Sequence, residues 1–114
     1  MIKTIQPIER TVQQRGNIKV IAKIAIEILG FKFDVKNDNF IIHLRDFEVL
    51  ENEALKIIAD NKFTIPELEF NTFLGTVGAI SSKEDFKTKL YTLLLADYNT
   101  NCPYGLIINN WIKI

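Results

Sequence analysis

The chain has 114 residues, 47% of them hydrophobic and 25% charged, and fourteen basic side chains balance fourteen acidic ones at a formal net charge of zero. That length points to a single domain over residues 1–114. The charge balance counts against a dedicated nucleic-acid binder, which carries a basic excess, and against an acidic disordered tail. One cysteine, Cys102, and one histidine, His43, allow no intramolecular disulfide and too few ligands for a standard structural zinc site.

A chain of this size buries roughly 65% of its unfolded surface, enough for one core without staples. No run reaches the ~18 apolar residues of a membrane span. Residues 1–10 alternate Ile with polar side chains and hold no apolar signal core, so cytoplasmic synthesis is expected. Eighteen Ile, ten Asn and eleven Lys have AT-rich codons, the bias of low-GC bacteria, their phages and some eukaryotic microbes. Charge is uneven along the chain: +4 over residues 1–36, −5 over 37–75 and +1 over 76–114.

Residues 2–14 read as an extended edge strand or arm, because Pro7 is unsuited to a helix interior or a central strand. Gly16-Asn17 marks a turn. Ile18, Val20, Ala22, Ile24, Ile26 and Ile28 then occupy every second position, the pattern of a half-buried strand about 36 Å long. At Leu29-Gly30 the phase changes, and Phe31, Phe33 and Val35 continue the apolar face. A β-bulge or a tight turn between two strands explains that change equally well. Lys36-Asn37-Asp38-Asn39 reads as a turn and Phe40–Leu50 as the returning strand, giving a hairpin over 31–50.

Helical character is expected next. Over Glu51–Asn61, Leu55, Ile58 and Ala59 share one helical face, acidic residues cluster at the start and Asn52 is a candidate cap. A second short helix starts near Thr64 and Pro66, with Leu68, Phe73 and Leu74 facing inward. Ser81 and Glu84 form a capping box for a third helix over about 82–97, where Phe86, Leu90, Leu93 and Leu94 recur at helical spacing. From Tyr104 to Ile114 strand character returns, and an ending of Trp-Ile-Lys-Ile is expected to pair into a sheet of its own subunit or of another.

No chemical motif emerges from these elements. His43 lies near Asp46, yet strand alternation sends Asp46 to the other face, so a structural or surface histidine is expected. Cys102 has no local cationic setting to activate its thiol. Gly75 and Gly78 form a Gly-x-x-Gly pair without a basic flank and read as a helix-ending turn rather than a phosphate or RNA loop. Glu48, Glu51, Glu53, Glu67 and Glu69 lack calcium-loop spacing and read as a solvated acidic face. Lys83, Lys87 and Lys89 read as ordinary helix surface.

The expected fold is α+β: an antiparallel sheet of four or five strands, with two or three helices between residues 51 and 97 packed on one face. Long strands, apolar termini and charge separation point to a non-catalytic assembly subunit without cofactor or metal. It would be a phage-type ring, connector, tail or baseplate component, found in the virion or another large assembly. The expected partners are further copies or other protein subunits, with no sequence-specific nucleic-acid contact. The candidate interface residues are Ile2, Ile5, Ile8, Tyr104, Ile108, Trp111, Ile112 and Ile114. The alternative is a small binding or inhibitory protein docking on a host protein complex through its acidic 46–69 region. A small enzyme built on His43 ranks last.

Overall fold

A computed structural model describes residues 1–13, 16–101 and 109–114, without the side chains of residues 12, 13 and 17. In chain order the elements are β1 (Ile2–Thr4), β2 (Ile8–Gln13), β3 (Asn17–Asp34), β4 (Asn39–Val49), β5 (Leu55–Pro66), α1 (Glu67–Thr76), α2 (Lys83–Asn101) and β6 (Trp111–Lys113). The strands form one antiparallel sheet in the order β5-β4-β3-β1-β6, with β2 pairing β3 beside β1. The α+β class is as expected, with six strands rather than four or five, and two helices, among the described residues.

The alternating isoleucines form the centre of this sheet. Ile24, Ile26 and Ile28 point to one face of β3 and are buried. Their β4 neighbours Leu44 and Ile42, and Phe40 beyond them, complete that face. The phase change is a bulge: pairing steps from Ile28↔Leu44 to Gly30↔His43, leaving Leu29 as the extra residue in one continuous strand of 18 residues. Asp38, in the following turn, has φ of 53°, the left-handed backbone that Asp and Asn tolerate.

The helix expected over Glu51–Asn61 is a strand instead. Leu50–Ala54 is a turn: the Leu50 amide donates to the Ala54 carbonyl at 2.8 Å, and the Ala54 amide donates to Asn52 Oδ1 at 3.2 Å. Asn52 therefore caps a turn and not a helix. From Leu55 the chain pairs along β4, and its register steps from Phe47↔Ile57 to Asp46↔Ala59. Ile58 is the extra residue of a second bulge, and that break in alternation imitates the i, i+3, i+4 spacing of a helix.

Both helices lie on the sheet face that carries Ile24, Ile26 and Ile28. From α1, Phe70 stacks on Phe40 with ring centroids 4.1 Å apart. From α2, Phe86 meets Phe31 edge-on at 4.8 Å, and Leu90 and Leu94 are fully buried. Leu68, expected inside, is 78% exposed, because the buried stripe of α1 runs through Phe70 and Phe73. The cap of α2 lies one residue later than Ser81/Glu84: Ser82 Oγ accepts from the Asp85 amide at 3.0 Å, and Asp85 Oδ2 accepts from the Ser81 amide at 3.0 Å. Tyr91 on α2 holds the sheet as well, its hydroxyl accepting from the Ile28 amide at 2.9 Å just beyond the end of β1.

The two ends of the chain pair with each other, Ile2↔Lys113 through Thr4↔Trp111. At the other end of β1 the chain kinks through Pro7 into β2, which among the described residues pairs with β3 alone. The β2–β3 ribbon elongates the molecule to 44 × 29 × 23 Å, with a radius of gyration of 15.3 Å. A rounded chain of this length would have about 13 Å.

Candidate functional site

The terminal residues divide into two groups. Ile2, Ile8 and Trp111 are buried in the chain's own core. Ile5, Ile112 and Ile114 are exposed at 49%, 38% and 58%. Tyr104 and Ile108, like Cys102, lie outside the described residues. Polar side chains lock this corner. The Asn110 carboxamide accepts from the Gln6 amide at 2.8 Å and donates to the Gln6 carbonyl at 3.2 Å.

A larger apolar surface lies at the opposite end of β3. Beyond the Leu29 bulge the helices cover Phe31 and Phe33 only in part, leaving them 36% and 62% exposed. Phe33 packs against Phe40 at 5.1 Å and edge-on to Phe70 at 5.4 Å. Two adjoining cavities share Phe33 and Phe70. One, of about 200 Å³, is bordered by Asp34, Asp38 and Glu67. The other, of about 450 Å³, is bordered by Phe31, Leu74, Ile80 and Phe86 with Lys83. Val35 beside them is 84% exposed and Ile80 42%. Sequence periodicity assigned Phe31 and Phe33 to the core. It could not show that the helices stop short of the hairpin end.

The sheet face away from the helices is mixed. Ala25, Phe47 and Ile57 lie in register across β3, β4 and β5; the first two are buried by their neighbours, while Ile57 is 56% exposed. The next row is charged. Arg45 stands opposite Asp60, and Nε and Nη2 donate to the two carboxylate oxygens at 2.7 and 3.1 Å. That hydrogen bonding holds the Asp60 carboxyl below its ordinary range and raises the Arg45 guanidinium.

His43 shares this outer face with Arg45, half-buried between Gly30 and Lys62. Asp46 is on the opposite face, 1% exposed, where Asn61 Nδ2 donates to Oδ2 at 2.6 Å. The structure therefore does not bring His43 and Asp46 together. Nor is the 46–69 region one acidic face: Asp46 is internal, Glu48 pairs with Arg10 at 3.5 Å and Asp60 pairs with Arg45. Gly75 lies within α1, and Gly78, at φ of 74°, takes the left-handed turn that follows it. Lys89 is tied to Asp85 at 2.9 Å and to the Ala79 carbonyl at 2.6 Å. Among the described residues no three His, Cys, Asp or Glu side chains are grouped to hold a metal ion. No helix among them is long and apolar enough to cross a membrane.

Comparison with protein-family models, with curated proteins and with solved structures finds no match to this chain.

Proposed function

We propose that the chain is a non-catalytic assembly protein, an oligomeric subunit of a larger particle of the phage ring, connector, tail or baseplate kind. It is made in the cytoplasm and incorporated into the virion. The observation that supports this reading is the open edge of the sheet at β5. Twelve residues long, β5 pairs only with β4, and no strand among the described residues covers its other side. A long edge with unpaired amides and carbonyls is a template for another strand. Leu55 and Ile57 on β5 are 44% and 56% exposed, so a neighbour there would gain apolar burial as well as backbone hydrogen bonds. Lys56 and Lys62 interrupt the strand and restrict which partner can join it. Ile5, Ile112 and Ile114 offer further apolar surface at the other side of the sheet.

The test is light scattering coupled to size exclusion over a hundredfold concentration range, with electron microscopy of the largest species. The expected result is a discrete multiple of 13.1 kDa with closed or stacked particles. A monomer at every concentration overturns the proposal.

A further inference from the structure

We propose that two copies of this chain join edge to edge, β5 against β5, antiparallel about a two-fold axis at Asn61. This rests on the assembly reading above and names its contact: the occupant of the open edge is the same strand of a second copy.

A ladder of charge crosses the outer face of the sheet. Glu27 on β3 stands opposite Arg45 on β4, and Arg45 opposite Asp60 on β5. Arg45 donates to both Asp60 oxygens, yet the Asp60 side chain keeps 57% of its surface exposed. The alternation of acid and base therefore ends on an anion at the open edge, where a further strand should supply a cation.

Lys62 is that cation. It lies two residues along β5 on the same face as Asp60, exposed, and forms no ion pair among the described residues. The register of β5 on β4 is unbroken from Ala59 to Pro66, so this stretch presents a regular edge. In antiparallel self-pairing the outward backbone groups of one strand meet outward groups of the other, so the axis passes through a residue and not between two. An axis at Asp60 or at Lys62 opposes like charges. An axis at Phe63 opposes Lys62 to Thr64 and Asp60 to Pro66. An axis at Asn61 sets Asp60 of each copy against Lys62 of the partner subunit, twice over. On the helix-bearing face the same register sets Ala59 against Phe63 of the partner subunit. Phe63 is half-buried against the core, and a small residue opposite leaves room for its ring to be covered. Because both copies use the same patch, the contact is isologous and closes as a pair.

The experiment is sedimentation equilibrium on the full chain, with circular dichroism to verify each fold. Lys62→Glu opposes acids across the axis, and Asp60→Lys opposes lysines. Each variant alone should self-associate about tenfold more weakly than the wild type, because two pairs turn from attraction to repulsion. An equimolar mixture of the two should associate more tightly than either alone, since every charge across the axis then meets its opposite. Hydrogen exchange of the wild type at low and high concentration reads the contact without substitution, and decides the matter if Asp60→Lys misfolds. Alternate amides between 59 and 63 should slow as the protein assembles. If the wild type assembles while folded Lys62→Glu keeps its affinity, the mixture gains nothing, or exchange over 59–63 is independent of concentration, the β5 contact is wrong and the assembly reading survives. A monomeric wild type overturns both.

Discussion

Asn99 closes its side-chain amide over both backbone groups of Trp111, donating from Nδ2 to the carbonyl at 3.2 Å and accepting from the amide at 2.8 Å. In this way a helix side chain meets the outward backbone groups of β6, where no further strand pairs among the described residues. The two margins of the sheet are therefore treated differently. One is satisfied at Trp111 by a residue of α2, while the other, β5, runs for twelve residues without an equivalent cover among the described residues. Edges that are not blunted are where sheets join.

Replacing Asn99 with Ala tests that closure. Two strand groups beside a buried ring would lose their partner, and leaving such groups unsatisfied costs about 1–3 kcal/mol. The expected outcome is destabilisation of that order in urea denaturation. Amide exchange should accelerate at Trp111 before it does at Ile26. As the only tryptophan, Trp111 reports the local change by fluorescence. Equal stability of variant and wild type would show that water replaces the carboxamide without loss.

The Phe40–Phe70 stack joins α1 to the sheet, with centroids 4.1 Å apart and planes 20° from parallel. Both rings are buried, at 0% and 3% exposure. Phe70→Ala should cost about 3–5 kcal/mol, the range for truncating a buried phenylalanine. Phe33 also rests on Phe70, so the same substitution enlarges the cleft. Leu68→Ala, two residues earlier and on the solvent side of the same helix, should change stability by less than about 0.5 kcal/mol. Chemical denaturation of the two variants side by side measures the contrast.

The legible parts of the fold were those where one period ran unbroken. Ile18 to Ile28 alternates without a fault, and β3 follows it. The Leu29 bulge was visible as a phase change at a glycine, although only the pairing of Gly30 with His43 separates a bulge from a turn. At β5 the same device misled. Ile58 is an extra residue in the middle of the strand, so Leu55, Ile58 and Ala59 imitate a helical face while the backbone is extended. Pairing with β4 decides the conformation there, and no local window contains that partner. The aromatic cleft was hidden for a related reason. Phe31 and Phe33 have the spacing of core residues, and their exposure depends on where α1 and α2 end relative to the hairpin.

Acid should weaken the fold through two surface carboxylates. Hydrogen bonding to Arg45 depresses Asp60. The Ser81 amide, then Lys89, depress Asp85. For a carboxyl with a lowered folded pKa, the stabilisation is present above the unfolded value near 3.9 and is lost as pH falls through the folded value. Melting temperature should therefore drop as pH is taken below about 4. Asp60→Asn with Asp85→Asn should give a shallower acid limb than the wild type. Both groups face solvent, so the difference should shrink in high salt. Parallel acid limbs in variant and wild type would remove these two residues from the account.

At the alkaline end Tyr98 is the responsible group. It sits in the core, edge-on to Trp111 at 5.0 Å and to Phe63 at 6.4 Å. Burial raises its phenol well above the ordinary range, and the carboxylates of Asp46 and Asp97 push the same way. An acid with a raised folded pKa gives its full stabilisation below the unfolded value, near 10, and loses it as pH rises toward the folded value. Over that window the unfolded chain ionises Tyr98 while the folded chain keeps it neutral. Tyr98→Phe preserves the ring and removes the proton, so its stability should fall less steeply than the wild type's between about pH 10 and 11. Tyr91, raised chiefly by its own burial, contributes in the same direction. Tyr91→Phe would also delete the acceptor of the Ile28 amide, and so should lower stability at neutral pH, where Tyr98→Phe should not. Thermal melts of the three proteins at pH 7, 10 and 11 separate the two tyrosines, and identical alkaline slopes for Tyr98→Phe and wild type would assign the loss to other groups.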